Sequence, residues 1–173
     1  MNLARLVAHA VFQPRRFNDR RIREFASSVR NERILELGSG KPVNGEYVYS
    51  ARRFFDASNE FIQSDVVEEY GHRVIDATSM SFHDEFDVVL CANVLEHVYD
   101  YATVISNIHT ALRPGGKAVV VVPCMYPLHD QPRDYWRFTE HALRPMLAAF
   151  QEIRVRHSGL RAYPFMYYVE ARK

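Results

Sequence analysis

Apolar residues along the chain fall into short continuous runs and into longer stretches with helical spacing. Short runs bounded by polar or turn residues are typical of buried strands, whereas apolar positions three or four apart are typical of helices packed on one side. Strands are predicted at residues 33–37, 61–64, 73–75, 86–90, 117–122, 153–157 and 165–171. Helices are predicted at residues 3–11, 22–29, 95–112 and 142–150. This alternation predicts an α/β fold of three layers, in which helices cover a mostly parallel seven-stranded sheet with an antiparallel last strand.

The amino-terminal segment differs from the rest in pattern and in charge. Residues 1–30 are predicted to form two short amphipathic helices, the second starting after the capping pair Asn18 and Asp19. Residues 1–33 carry eight arginines against three acidic residues, which we interpret as a solvated helix face rather than a site for an anionic partner. Residues 31–173 then form the main domain, and the length of 173 residues fits a single domain overall.

Composition narrows the class of protein. The net charge is +1 at pH 7, so no general attraction to nucleic acid is expected. Hydrophobic residues make up 47% of the chain, which is typical of a folded globular protein. No apolar stretch is long enough to span a bilayer, and no signal peptide is recognised. With only two cysteines, Cys91 and Cys124, we expect a cytoplasmic protein in a reducing environment.

A glycine turn and two acids at strand ends form the candidate binding site. The first strand runs into Gly38-Ser39-Gly40, where missing side chains let a ligand approach the backbone. The third glycine of a dinucleotide fingerprint is replaced by Val43, which disfavours a nicotinamide-dependent oxidoreductase, and a phosphate-binding P-loop is absent. Asp65 is placed to accept from ribose hydroxyls, and Asp76, with the next backbone N–H on Ala77, is placed to bind adenine. Together these groups predict a site for a nucleoside without phosphates.

The ordered motifs resemble those of the class I S-adenosylmethionine-dependent methyltransferases, specifically a small bacterial form similar to methyltransferase type 11. The matching stretches are residues 34–40 (ILELGSG), Asp65, 76–82 (DATSMSF), 86–90 (FDVVL), 94–98 (VLEHV) and 112–116 (LRPGG). The resemblance covers residues 31–173 and implies a Rossmann-like fold with S-adenosylmethionine as cofactor. It implies cofactor contacts from Glu36, Gly38, Ser39, Gly40, Asp65, Asp76, Ala77, Met80, Cys91 and Asn93.

The segments between the first three strands are shorter than this family usually has. Residues 41–60 and 66–72 leave little room for full helices, so one or two helices are expected to be reduced or missing. We therefore expect a cofactor pocket that is more open than usual.

Two histidines are candidate catalytic bases. His97 is expected at the start of the helix after the fourth strand, and His129 follows the fifth strand on a loop that could close over a substrate. The start of the helix that follows the fourth strand also resembles the corresponding segment of small-RNA 2′-O-methylases, which use a Glu-x-x-Glu-His motif to bind metal. Because Asn93 replaces the first acid of that pattern, no metal is assigned.

The segment 127–139 is the other unusual stretch of the sequence. Arg133, Tyr135 and Trp136 are candidate substrate-binding residues, while the alternative is an aromatic latch in which Trp136 and Phe138 pack the last helix onto the sheet. The stretch resembles one found in methyltransferases of bacterial polysaccharide and secondary-metabolite synthesis. This resemblance does not fix the acceptor, which we expect to be a small molecule; a sugar or secondary-metabolite hydroxyl is favoured over an amine. The alternative is a non-catalytic cofactor-binding protein with a regulatory or partner role, and the oligomeric state stays open.

Overall fold

The computed structural model describes residues 3–130 and 132–173, which form one seven-stranded sheet. The strands are β1 (Arg33–Leu37), β2 (Glu60–Asp65), β3 (Arg73–Val74), β4 (Phe86–Ala92), β5 (Leu112–Pro123), β6 (Ile153–Leu160) and β7 (Tyr163–Arg172). Their order in the sheet is β3-β2-β1-β4-β5-β7-β6. All neighbours pair in parallel except β7, which is antiparallel to both β5 and β6. The predicted mostly parallel sheet with an antiparallel last strand is confirmed.

In the described residues, three α-helices cover the sheet: α1 (Leu3–Ala26), α2 (Tyr101–Ala111) and α3 (Glu140–Met146). On one face, Ile22 and Phe25 of α1 pack in a cluster with sheet residues such as Val119. On the other face, Ile108 of α2 and Leu143 of α3 belong to a second buried cluster. Because side chains alternate across a strand, each central strand contributes to both clusters. The structure therefore has the three predicted layers.

The prediction of two short amino-terminal helices was wrong, because α1 is continuous from Leu3 to Ala26 and includes Pro14. The supposed cap residues serve other contacts: Asn18 is buried, and the carboxylate of Asp19 binds Arg53 at 3.1 Å. Tertiary contacts of these two side chains therefore override their local preference for a helix start. The apolar stripe predicted within residues 3–11 lies outside the part of the chain whose side chains are described.

The two connections between the first three strands, in which helices were expected to be reduced or missing, are short. Between β1 and β2 the only helix of the described chain is the 3-10 helix Ala51–Phe54, and between β2 and β3 it is the 3-10 helix Glu68–Tyr70. The helix predicted to start near residue 95 is also interrupted: Leu95–His97 is a separate 3-10 helix, and α2 begins after Asp100, whose side chain accepts from Thr103 N. His97 therefore ends a 3-10 turn instead of starting an α-helix.

Strand order determines where a ligand could bind. The chain crosses from one half of the sheet to the other between the adjacent strands β1 and β4, and ligands of such sheets bind beyond the carboxyl ends at this point. The loops after β1, β2 and β3 lie on one side of it, and those after β4 and β5 begin on the other. None of the described helices has the combination of length and apolar character needed to cross a membrane.

We expect substitution of Phe25 by alanine to destabilise the fold. The Phe25 ring is 8% exposed and packs edge to face on Phe55, with ring centroids 6.4 Å apart. The Phe25→Ala variant should lose about 3–5 kcal/mol of unfolding free energy, the usual cost of emptying a buried aromatic site. Urea unfolding measures this loss, and Arg20→Ala on the exposed face of α1 should stay within about 0.5 kcal/mol. A loss below about 1 kcal/mol for Phe25→Ala would contradict the docking of α1 on the sheet.

Candidate active site

The glycine turn follows β1 at the crossover between the two halves of the sheet. Gly38 and Gly40 have φ angles of 71° and 77°, in the left-handed region where glycine is favoured. A side chain at Gly38 would collide with Val94 at the end of β4, and a Cβ at Gly40 would lie 3.1 Å from Tyr49 Cβ. Between them, Ser39 N donates to Ser64 O at 2.8 Å and so fixes the turn to β2. These two glycines are required by conformation and by close packing.

Glu36 is buried just before this turn, and its carboxylate accepts hydrogen bonds from three neighbouring protein groups. Its Oε2 accepts hydrogen bonds from Ser39 Oγ at 2.7 Å and Ser50 Oγ at 2.5 Å, and its Oε1 accepts from Ala51 N at 2.6 Å. Burial raises the pKa of Glu36, and these three hydrogen bonds act in the opposite direction. Glu36 was predicted to contact cofactor. The structure places its carboxylate inside the turn, where it positions the backbone of residues 38–40.

Asp65 ends β2 with its carboxylate against the glycine turn. Its Oδ2 accepts from Gly40 N at 3.0 Å and its Oδ1 accepts from Val67 N at 3.2 Å. On the other side of the turn, His72 Nε2 lies 2.9 Å from Gly40 O. The structure therefore brings the predicted ribose acid and the glycine turn together, as their adjacent strands require.

Asp76 and Ala77 lie in the loop after β3. Asp76 Oδ1 accepts from Thr78 N at 2.8 Å and from Thr78 Oγ1 at 2.7 Å, which leaves Oδ2 without a partner in the described part of the chain. The loop is anchored from α2, because Asn107 Nδ2 donates to the carbonyls of Ala77 at 2.9 Å and Thr78 at 3.0 Å. Sequence analysis missed Asn107. Its only signal is an amide inside the apolar stripe of α2.

Met80, Asn93 and Cys91 complete the set of predicted cofactor residues. Met80 is half-buried and packs against the core cluster next to the Asp76 loop. Asn93 is exposed at the end of β4 with a φ of 55°, and its N–H donates to Val121 O at 2.9 Å. Cys91 is fully buried in the core, and burial raises the pKa of its thiol. The structure thus leaves Met80 and Asn93 near the binding edge but gives the Cys91 side chain no access to it.

Beyond β4, Glu96, His97 and His129 form a cluster. One potential ligand atom from each residue lies within 4.8 Å of the others, and the two imidazole centroids are 4.9 Å apart. Glu96 is fully buried, and neither of its carboxylate oxygens has a hydrogen-bond partner among the described residues. Burial raises the pKa of Glu96 to about 8, with a smaller contribution in the same direction from Asp134 and Asp130. Both predicted catalytic histidines therefore adjoin an unsatisfied carboxyl group.

An ion pair holds the loop that carries His129. Arg137 donates from Nη1 and Nη2 to the two oxygens of Asp134, both at 2.7 Å, and Arg137 holds the pKa of that carboxyl well below its usual range. Asp134 Oδ2 in turn accepts from His129 N at 2.8 Å, while His97 Nδ1 lies 2.6 Å from Arg133 O. The loop backbone is thereby tied to both histidines.

The aromatic residues of this loop have separate places. Trp136 Nε1 donates to Tyr99 O at 3.2 Å, and its ring packs against Tyr101. Phe138 is buried and packs edge to face on the same Tyr101 ring. These contacts hold Trp136 and Phe138 against the start of α2, and Phe138 also belongs to the buried cluster that contains Leu143 of α3. The side chains of Arg133 and Tyr135 are exposed.

Comparison with known proteins identifies relatives. A family model described as a methyltransferase domain matches residues 8–154. The chain is 39% identical over 56 residues to the ubiquinone biosynthesis O-methyltransferase of Azotobacter vinelandii. The aligned stretch covers 32% of this chain and 24% of that protein. It is 30% identical over 102 residues to the protein of the same name from Aeromonas salmonicida, covering 51% of this chain and 42% of that protein. The matches thus span less than half the length of these curated relatives.

Solved structures share the fold. The 1,6-didemethyltoxoflavin-N1-methyltransferase of Burkholderia thailandensis, solved with its substrate and S-adenosylhomocysteine, aligns with a TM-score of 0.64 at 22% identity over 98% of this chain and 86% of that one. Phosphoethanolamine N-methyltransferase 2 of Haemonchus contortus, in complex with S-adenosyl-L-methionine, aligns with a TM-score of 0.67 at 16% identity over 90% and 52% of the two chains. These likenesses confirm the Rossmann-like architecture.

Replacing Asn107 by alanine should loosen the loop after β3. The two carbonyls that its amide binds would lose their donor, at a cost of about 1–3 kcal/mol. Urea unfolding measures this loss, and hydrogen exchange should increase at the backbone amides of residues 77–80. The control is Ser106→Ala, because Ser106 is exposed on the same helix. If Asn107→Ala and Ser106→Ala behave alike, Asn107 does not anchor the loop.

Proposed function

The chain belongs to the methyltransferase-domain family, whose model covers most of its residues, and from this we propose an S-adenosylmethionine-dependent methyltransferase that acts on a hydroxyl of a small molecule. S-adenosylmethionine supplies an electrophilic methyl group, so the protein has to bind the cofactor, orient the acceptor and assist loss of the hydroxyl proton.

The groups at the ends of β1, β2 and β3 suit this cofactor. The backbone of Gly38–Gly40 is accessible for the methionine part, and the carboxylate of Asp65 lies beside it for the ribose hydroxyls. In the next loop, the free Oδ2 of Asp76 is an acceptor for the adenine amine, and the N–H of Ala77 is a donor for a ring nitrogen. Structural relatives solved with S-adenosylmethionine or S-adenosylhomocysteine support this assignment.

The observation that carries the choice of a hydroxyl acceptor is the pairing of His97 and His129 beyond β4 and β5. A hydroxyl has to lose its proton when it is methylated, and two imidazoles 4.9 Å apart provide a place for this step. The curated relatives named O-methyltransferases support the same choice. The exposed side chains of Arg133 and Tyr135 border this region and are candidates for acceptor contacts. We assign Trp136 to holding the loop, because its indole packs on Tyr101.

Turnover tests this function. The protein is incubated with S-adenosylmethionine and a panel of hydroxylated sugars and phenols, and mass spectrometry follows S-adenosylhomocysteine together with the methylated product. We expect product that is 14 mass units heavier than one acceptor class, in proportion to S-adenosylhomocysteine. Cofactor binding without any product would favour the non-catalytic alternative, and methylation of amines alone would contradict the hydroxyl assignment.

We also propose a cytoplasmic location and small-molecule acceptors rather than nucleic acid. The thiols of Cys91 and Cys124 are both free, which is in keeping with a reducing compartment. The net charge of +1 gives no general attraction to polyanions.

The variant Asp76→Asn should weaken binding of S-adenosylhomocysteine. An asparagine retains the oxygen that accepts from Thr78 but turns the free acceptor into an amide donor facing the adenine amine. Calorimetry should show a loss of about 1–3 kcal/mol. The matched control is Asp56→Asn, because Asp56 Oδ1 accepts from Ser58 N in a similar turn that precedes β2, at the opposite edge of the sheet. Equal affinities of the two variants would contradict the adenine assignment.

The variant His129→Ala should lower turnover by about 10²–10⁴-fold, since it removes a group that assists proton loss. Affinity for S-adenosylhomocysteine should change little, because the groups proposed to hold the cofactor lie beyond β1, β2 and β3. Steady-state kinetics with the identified acceptor measures the effect, and His83→Ala serves as the control because that side chain is 76% exposed outside the cluster. A turnover within about threefold of the parent would remove His129 from the chemistry.

A further inference from the structure

The carboxylate of Glu96 is the one feature of the site that neither cofactor binding nor the fold explains. Its side chain is fully buried, and both oxygens lack a hydrogen-bond partner among the described residues. Burying an unpaired carboxylate costs several kcal/mol, and buried charges in proteins are normally paired or bound to metal ions. In the described part of the chain, the only basic side chain within 4.0 Å of the Glu96 oxygens is that of His97. A cationic partner from outside the chain would satisfy these oxygens.

The geometry around Glu96 is that of a nearly assembled set of metal ligands. Glu96 Oε1 lies 4.0 Å from His97 Nε2, and the three ligand atoms of Glu96, His97 and His129 all lie within 4.8 Å of one another. A cation with bonds of about 2.0–2.2 Å holds its ligands no more than about 4.4 Å apart. Side-chain movements of about 1 Å or less would therefore complete the site.

Hydrogen bonds orient both imidazoles for this role. His97 Nδ1 lies 2.6 Å from Arg133 O, and His129 Nδ1 lies 3.2 Å from Pro127 O and 3.4 Å from Asp134 Oδ2. A ring nitrogen that faces a carbonyl or carboxylate oxygen carries the proton, so the Nε2 atom of each ring keeps its lone pair. Metal-binding histidines are typically held in this manner by a carbonyl or a carboxylate. Asp134, which is itself fixed by Arg137, provides that carboxylate for His129.

We propose that Glu96, His97 and His129 bind one divalent transition-metal ion of the Zn²⁺ type. Two imidazoles and one carboxylate form the ligand set of three-residue zinc sites, which keep an open position for water or substrate. Near Glu96, the positive charge of Arg137 is opposed by the negative charges of Asp134 and Asp130, so two acids and one base surround the carboxyl group. A further part rests on the proposed function: the open position would hold the acceptor's hydroxyl, whose pKa the cation lowers, and the hydroxyl proton would be released to water as the oxygen takes the methyl group. His129 would then assist this proton loss as a ligand of the cation.

Metal titration of the full chain tests the site without reference to activity. The protein is stripped with a chelator and dialysed, and Zn²⁺ is then titrated by calorimetry, with Co²⁺ absorption spectra as a report on nitrogen ligands. We expect one ion per chain. The variants Glu96→Gln and His129→Ala should each weaken binding at least about tenfold, which corresponds to about 1.4 kcal/mol. The control His83→Ala should bind Zn²⁺ as the parent does, since that histidine is exposed outside the cluster.

Two further measurements keep the test decisive. Thermal unfolding without metal checks that both variants fold, and Zn²⁺ should raise the Tm of the parent but not that of Glu96→Gln. Affinity for S-adenosylhomocysteine should be unchanged in both variants, which separates this site from the cofactor site.

No saturable binding to the parent, or equal binding to the parent, Glu96→Gln and His129→Ala, would overturn the proposal even if methyl transfer is established. Turnover that persists after chelation would overturn the catalytic part, whereas an absence of turnover with metal bound would contradict the proposed function alone.

Discussion

The hydrogen bonds of the Glu36 carboxylate are the contact on which the cofactor side of the molecule depends. They connect the glycine turn, through Ser39, to the start of the 3-10 helix at Ser50 and Ala51. Gln63 Nε2 donates to the same Ser50 hydroxyl at 2.9 Å, so β2 is joined to this network. Because no α-helix connects β1 to β2 in the described chain, the turn is positioned by these polar contacts instead.

The contacts next to this network join the loop after β1 to the end of β2 and to the segment that follows it, and they anchor the loop after β3 separately. Asp65 binds the N–H of Gly40 and His72 contacts its carbonyl, so the glycine turn is held from two further segments. Asn107 fixes the following loop from α2 on one face of the sheet. The segments between these strands are short, but each has a buried or half-buried polar anchor. This end of the sheet is therefore held in place by polar side chains rather than by packed helices.

The parts of the fold that could be predicted from sequence are those that neighbouring residues determine. Apolar runs located the strands, and Gly38 and Gly40 located the turn. The errors arose where distant contacts decide the outcome. Asn18 resembles a helix cap, yet it is buried within α1.

The same limit applies to the candidate site. Parallel pairing alone brings Asp65 and the glycine turn to one edge, because β1 and β2 are neighbours. The anchoring role of Asn107 and the burial of the Cys91 thiol depend on how α2 and the sheet pack together. The sequence around these two residues does not predict that packing. The position of Trp136 depends in turn on Tyr99 and Tyr101, which lie just before and at the start of α2.

Two buried glutamates show where the structure satisfies its polar groups and where it does not. Glu36 and Glu96 both lie near the crossover point of the sheet and both are almost inaccessible to solvent. Three donors surround the first, whereas the second has none among the described residues. Folding stability alone would favour an apolar side chain at a buried position without donors. Buried polar groups are normally hydrogen-bonded, and exceptions occur mainly at functional sites. The unsatisfied carboxylate beside two oriented imidazoles therefore indicates a role for Glu96 in binding rather than in folding.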